Sequence, residues 1–319
     1  MRQKIVTVAG PTASGKTALA VQIALKIGGE VISCDSMQIY RGMQIGTAAP
    51  TAEEMCGIPH HMVAIANPDE PFSCADYTER AEACIREIAA RGRIPVICGG
   101  TGLYLDSLLR VSAFSESEKT DEVRAALHAF AEKNGAEALH ARLAAVDPES
   151  AEAIHYNNVR RVVRALEIFE TTGVTKSEWD KRSLAAEPKY DAFMTVLDFR
   201  DRQRLYDRID RRVSLMMDAG LLDEVRTLYN AGMLKDNYIA AQAIGYKEFL
   251  PYFSGEAAPE ECADQVRLSS RRYAKRQLTW FRRYKDALWL YPDEAGESLA
   301  SAEALAAQAV SAMKETGFL

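Results

Sequence analysis

Long apolar runs are missing from this chain of 319 residues. No stretch approaches the roughly 20 residues that cross a bilayer, and the N-terminal MRQKIVTVAG turns into a glycine loop after a few apolar positions. The pattern predicts a soluble, cytoplasmic protein with no membrane partner and no secretory leader. Histidine is scarce: only His60 and His61 are adjacent, with no second ligand group nearby, so a zinc site is not expected. The six cysteines (Cys34, Cys56, Cys74, Cys84, Cys98 and Cys262) show no CxxC spacing, and several fall in apolar runs. They read as reduced, buried thiols rather than a disulfide framework. Positive charge is also in deficit, with 39 Lys and Arg against 45 Asp and Glu, a net charge of −6. That balance excludes a uniformly basic nucleic-acid binder but leaves room for local basic patches. Neither an internal repeat nor a low-complexity tract is present, and 48% hydrophobic residues suit an ordinary globular protein.

From Lys4 to about Arg110 the chain alternates apolar strands with helical periodicity. KIVTVA, EVISC and RIPVICGG are continuous buried-type strands, IPHHMVAIANP is a short extended piece, and Thr17 to Ile27 repeats with helical spacing. Ser73 followed by Asp76 resembles a capping box opening a helix that runs to about Arg91. Such alternation predicts an α/β fold with a parallel sheet covered by helices on both faces. After Arg110 the period is helical until DAFMTVLDF near 191–199. Residues 113–188 are therefore expected to form a small all-helical insertion, and 1–112 with 189–319 the core and its C-terminal helices. A last strand is expected in ALWLY and a closing helix from about Ser298.

The sharpest local signal is GPTASGKT, comprising Gly10, Pro11, Thr12, Ala13, Ser14, Gly15, Lys16 and Thr17. It is a complete G-x-x-x-x-G-K-[ST] phosphate loop lying between a strand and a helix, as the mechanism requires. Glycines let backbone N–H groups curl around an anionic oxygen, Lys16 adds a point charge, and the helix N-terminus favours the anion. Thr17 would hold Mg²⁺ in such a loop. In phosphate-loop NTPases a later strand usually ends in a magnesium-binding Asp, yet RIPVICGG runs into Gly99-Gly100-Thr101. The Asp at a strand end is instead Asp35, after EVISC. Ligands of open α/β sheets bind outside the carboxyl ends of the strands, where the phosphate loop, Asp35-Ser36 and Thr101 would converge. There Asp35 is either a holder of metal or a general base acting on an incoming nucleophile.

A second signal is the segment from Gln265 to Lys285, with eight Lys and Arg, no acid and four aromatics. Arg267, Arg271 and Lys275 recur every four residues and so share a helical face, while Val266, Tyr273, Trp280 and Tyr284 form an apolar seam. Arg276 belongs to the same basic stretch. In an acidic protein this excess is the footprint of a phosphate-backbone site. Arg160, Arg161 and Arg164 form a weaker cluster of the same kind. A phosphate loop and two basic surfaces suggest a polyanionic second substrate.

GPTASGKT, DSMQIYRGMQIGTAAPT, GIPHH, GGTGLYL, NVRRVVRALEI, LYDRIDRRV, AAQAIGYKE and RRYAKRQLTWFRR occur in an order that resembles the bacterial tRNA dimethylallyltransferases, or tRNA isopentenyltransferases, over nearly the whole chain. The resemblance is weakest over about 112–156 and after about 290. It implies a P-loop NTPase-like fold and transfer of a dimethylallyl group from dimethylallyl diphosphate, with Mg²⁺, to the exocyclic N6 amine of the adenine at tRNA position 37, next to the anticodon. It further implies that residues 10–17, with Arg208, hold the diphosphate. Asp35, as the base, would meet the target adenine with Ser36, Met37 and Gln38. The remaining contacts to the anticodon stem-loop would come from Thr101, Arg124, Arg160, Arg161, Val162, Val163 and Arg164. Gln242, Ala243, Ile244, Gly245, Tyr246 and Lys247 would join them, with Arg271, Lys275 and Arg276 from the basic helix. The implied protein is a monomer. One departure stands out: many relatives carry Asp in a PHHLID stretch where this chain has Ala64. Rival readings are a P-loop small-molecule kinase, an adenine-nucleotide isopentenyltransferase, and a non-enzymatic RNA-binding protein with a vestigial nucleotide site. The kinase explains residues 1–110 equally well but gives the basic helix no purpose.

Overall fold

The computed structural model describes residues 2–110, 120–185, 187–235, 238–294, 296 and 298–319. Strand β1 (Lys4–Ala9) enters the phosphate loop and helix α1 (Lys16–Ile27), which Gly28 ends in a left-handed conformation. Then come β2 (Gly29–Ser33), the single turn α2 (Ala52–Met55), the short β3 (His60–His61) and α3 (Cys74–Ala90). The expected capping box is present: Ser73 accepts from the Asp76 amide, and Asp76 accepts from the Ser73 amide. Strand β4 (Ile94–Gly99) leads into α4 (Gly102–Leu109).

Between these elements and β5 (Asp191–Leu197) lies a separate compact unit, Arg110–Lys189. Its described residues form α5 (Thr120–Asn134), α6 (Ala136–Val146), α7 (Pro148–Ala153), α8 (Val159–Thr172) and α9 (Lys176–Ala185) around Leu127, Leu139, Leu143, Val162, Val163 and Leu166. The boundary expected at residue 113 lies outside the described residues. The first unit resumes at Tyr190 with β5, followed by α10 (Arg202–Asp218), α11 (Leu221–Asn230), two 3₁₀ turns, α12 (Leu250–Phe253), the long α13 (Pro259–Phe281), β6 (Leu288–Leu290) and α14 (Ala302–Glu315).

The sheet has six strands in the order β3-β2-β4-β1-β5-β6, and every neighbouring pair is parallel. Alternate residues of one strand therefore face opposite layers. In β1, Ile5 belongs to a core with Tyr77, Ile85 and Val225, whereas Val6 and Val8 pack in a core with Leu19, Ile23 and Met313. Each fully buried aliphatic side chain contributes about 1.5–3 kcal/mol, so the strand that carries the phosphate loop is held firmly from both faces. No helix among the described residues is long and apolar enough to cross a membrane. All six cysteines are free; Cys34, Cys98 and Cys262 are buried as expected, but Cys56 is exposed at the end of α2.

Candidate active site

The carboxyl ends of β1, β2 and β4 meet, as parallel-sheet geometry requires. In the phosphate loop Gly10 and Gly15 have φ of 152° and 94°, and Ala13 takes a left-handed φ of 62°. Two arginines reach the loop from α10. Arg208 Nε donates to the Ala13 carbonyl at 2.8 Å, and Arg212 Nη1 donates to Thr12 Oγ1 at 3.2 Å. Lys16 Nζ donates to the Pro11 carbonyl at 3.4 Å. Removal from solvent and the neighbouring Arg212 lower the pKa of the Lys16 ammonium, while Cys98 and Asp35 oppose that shift. Burial likewise lowers Arg212, with Asp35 working in the opposite direction. Three cations thus converge on a loop that presents backbone amides, an arrangement that attracts an anion strongly. Sequence reasoning had Arg208 but missed Arg212, although the two are four residues apart on one helical face.

Asp35 follows β2 and partly faces solvent. Its Oδ1 accepts the Met37 amide at 2.9 Å and the Gln38 amide at 3.4 Å, which fixes the carboxylate plane. The Ser36 amide donates to Thr101 Oγ1 at 3.0 Å, and the Thr101 hydroxyl lies 3.3 Å from Ser36 Oγ. Gln38 spans the loop: its carbonyl oxygen accepts from Ser33 Oγ at 2.9 Å, and its amide nitrogen donates to the Thr47 and Ala48 carbonyls. Tyr273 lies beside Thr101; burial, and then the charge of Asp35, push its phenol up. Glu224 secures the next loop by accepting the amides of Gln44, Ile45 and Gly46 and the Tyr246 hydroxyl.

Two cavities adjoin Asp35. The larger, about 220 Å³, is walled by Thr12, Ser36 and Met37, by Arg212, Val213 and Met216 of α10, and by Tyr273 and Arg276 of α13. Gln242, Ala243, Ile244 and Lys247 also line it. The smaller, about 20 Å³, touches Lys16, Thr17, Gln38, His60 and Cys98. Asp35 lines both. The smaller has room for about one water-sized species. Among the described residues no cluster of three His, Cys, Asp or Glu is built to hold a metal. A threonine hydroxyl beside a phosphate loop suits Mg²⁺, which takes few protein ligands and completes its shell with phosphate oxygens and water.

Several expected RNA contacts are buried or ion-paired within the protein. Val162 and Val163 are buried in the core of the helical unit, because they fall on the apolar stripe of α8. Tyr246 is fully buried and Ala243 nearly so, packed in the main core, although a wall of the larger cavity includes Ala243. Arg124 and Arg164 both pair with Glu167, itself buried, at 2.7 and 2.9 Å. Arg271 is committed to Asp210 of α10, and Arg267 to Asp264 and Ser214, so this part of the expected open face of α13 packs on α10 while Lys275 of the same face stays exposed. The buried stripe of α13 is Val266, Ala274, Gln277, Leu278 and Phe281, whereas Trp280 and Tyr284 are only partly covered. Arg160, Arg161, Gln242, Lys247, Lys275 and Arg276 are exposed.

Residues 38–284 match the model of a family described as IPP transferase, and residues 3–66 match one described as isopentenyl transferase. The chain is 51% identical over 288 residues, 90% of each chain, to a tRNA dimethylallyltransferase of Bacillus cereus (strain AH187). Among solved structures it resembles a tRNA delta(2)-isopentenylpyrophosphate transferase from Staphylococcus epidermidis, with a TM-score of 0.71, 39% identity and coverage of 99% of this chain and 100% of that one. It also resembles a eukaryotic dimethylallyltransferase acting on tRNA, with a TM-score of 0.75, 30% identity and coverage of 91% of this chain and 74% of that one.

Proposed function

We infer, from the premise that this chain belongs to the tRNA dimethylallyltransferase family of IPP transferases, that it is an enzyme transferring a five-carbon dimethylallyl group to tRNA. The donor is dimethylallyl diphosphate and the acceptor the N6 amine of the adenine next to the anticodon, at position 37. The enzyme works in the cytoplasm as a monomer. The observation that carries this reading is the placement of Asp35 in the wall of both cavities, one at the phosphate loop and one open towards α10 and α13.

The loop amides, Lys16 and the two α10 arginines bind the diphosphate, whose negative charge grows as the allylic C–O bond breaks. The Thr17 hydroxyl would hold Mg²⁺, which would add to the neutralisation of that leaving group. An adenine amine is a poor nucleophile because its lone pair is delocalised into the ring. Asp35 accepts an N–H hydrogen bond from it, turns the amine towards the allylic carbon and takes the proton as the C–N bond forms. Thr101 and Ser36 hold the Asp35 loop, and Met37 and Gln38 flank the base. The adenine leaves its stack at a cost of a few kcal/mol, which a loop nucleotide keeps low. Exposed Lys275, Arg276, Arg160, Arg161 and Lys247 offset it by binding backbone phosphates.

Incubation with radiolabelled dimethylallyl diphosphate or ATP, each with and without bulk tRNA, tests the assignment. Label from the allylic donor entering RNA, and only when tRNA is present, is the expected result. Label from ATP entering a small molecule would make the protein a kinase, and label from the allylic donor entering free adenine nucleotide would move the acceptor away from tRNA.

A further inference from the structure

Helix α13 sends one polar side chain into the wall behind the site. Gln277 is 4% exposed. Its Oε1 accepts the Thr12 amide at 2.8 Å, and its Nε2 donates to the Gly100 carbonyl at 2.9 Å. A primary amide accepts through its oxygen and donates through its nitrogen, so this one uncharged group makes both bonds at once. The fit is close: a Cβ on Gly100 would lie 2.1 Å from Gln277 Nε2, so a side chain at this position would push the glutamine amide out of place. Thr101 comes next in the chain, and its hydroxyl receives the Ser36 amide beside Asp35. The links therefore run without a gap from the phosphate loop through Gln277, Gly100, Thr101 and Ser36 to the proton acceptor.

We propose that Gln277 is a positioning residue, setting the distance and angle between the diphosphate cradle and the Asp35 loop. The role rests on the functional reading above and deepens it. In-line displacement needs leaving group, allylic carbon and amine nitrogen in one line, and an error of about 1 Å in such an arrangement costs on the order of 10²-fold in rate. No covalent bond ties the end of β1 to the end of β4; Gln277 is a side-chain bridge between the loops that leave them. Without it, the part-buried Thr12 N–H and the buried Gly100 C=O lose these partners and the two loops shift to find others.

Two substitutions test the role. Gln277→Leu keeps the volume and removes both hydrogen bonds. Gln277→Glu keeps the shape, and its carboxyl reproduces the amide only when protonated, since a carboxylate cannot donate to the Gly100 carbonyl. Lys16, Arg208 and Arg212 at the phosphate loop and Asp35 after β2 are the charged groups of the two loops that this carboxyl would join, with Arg276 next to it in the chain. With Gln277→Leu the expected result is a fall in kcat of tenfold or more, with KM for dimethylallyl diphosphate and the thermal midpoint changed much less. With Gln277→Glu, the rate relative to wild type at the same pH should climb as pH falls, by up to about tenfold per pH unit while the carboxyl is mainly ionised. A merely structural glutamine would move the midpoint without that pH-dependent rescue. Turnover of Gln277→Leu within twofold of wild type, or a flat relative rate for Gln277→Glu, overturns the role; if the leucine variant does not fold, the glutamate variant decides. Active wild type with indifferent variants contradicts this role alone, whereas wild type that transfers nothing to tRNA overturns the functional reading and the role together.

Discussion

Asp35 has one oxygen committed to the amides of Met37 and Gln38, and it borders both the phosphate-loop cavity and the larger one. A base needs this combination: a fixed plane, and access to the nucleophile on one side and the departing group on the other. Asp35→Ala should lower the single-turnover rate by about 10²–10⁴, the range for loss of a general base, and leave tRNA affinity nearly unchanged. Wild-type-like turnover would remove the proton-acceptor role. Ala64 is a different kind of residue. Its φ of 52° is left-handed. Alanine in that region costs roughly 1–2 kcal/mol, while Asn and Asp tolerate it through local hydrogen bonds. Ala64→Asn should therefore raise stability by about 1 kcal/mol, read as a higher thermal midpoint with activity retained. An unchanged or lower midpoint would show that the loop bears no such strain.

Elements place these residues, and their anchorage titrates. Glu30 of β2 is 3% exposed and receives hydrogen bonds from Arg91 after α3 and His61 of β3, at 2.7 and 2.8 Å. Burial alone would raise its pKa, but the bonds from Arg91 and His61 outweigh that and hold it below the usual value of 4.5. A depressed carboxylate contributes stability above its unfolded pKa and loses it as pH falls through the folded one. Thermal stability should thus drop as pH falls below about 4.5, and Glu30→Gln should be less stable at neutral pH with a shallower acid decline. An identical acid decline in the variant would clear Glu30 of that role.

Periodicity and loop chemistry made most of the elements readable: β1, β2, β4, the α3 capping box and the phosphate loop are all local signals. Helix α13 was not readable in the same way. Eight cations in its stretch suggest an outward face, yet Asp210 on α10 neutralises Arg271, and a polar glutamine fills the buried stripe. Partners brought from 61 or more residues away leave no trace in local spacing. Valines 162 and 163 were misplaced for the converse reason: a motif carried them as a block, whereas a helix buries one side of any block.

Over the whole molecule, an acidic chain must bind a polyanion through a few exposed cations. Lys275 is one of them, next to Arg276 at the larger cavity. Lys275→Ala should weaken tRNA binding and reduce the slope of log affinity against log salt by about 1, as for one lost phosphate contact. An unaltered slope would place the RNA path away from α13. The central claim joins a phosphate loop, a positioned carboxylate and an RNA surface into one transfer reaction, and mass spectrometry of the nucleosides from tRNA treated with the protein and dimethylallyl diphosphate tests it most directly. The expected result is a gain of one five-carbon unit on the adenosine beside the anticodon, strongly reduced over the same reaction time when the protein carries Asp35→Ala. Unmodified adenosine with the wild-type protein, or the five-carbon unit on another nucleoside, would contradict it.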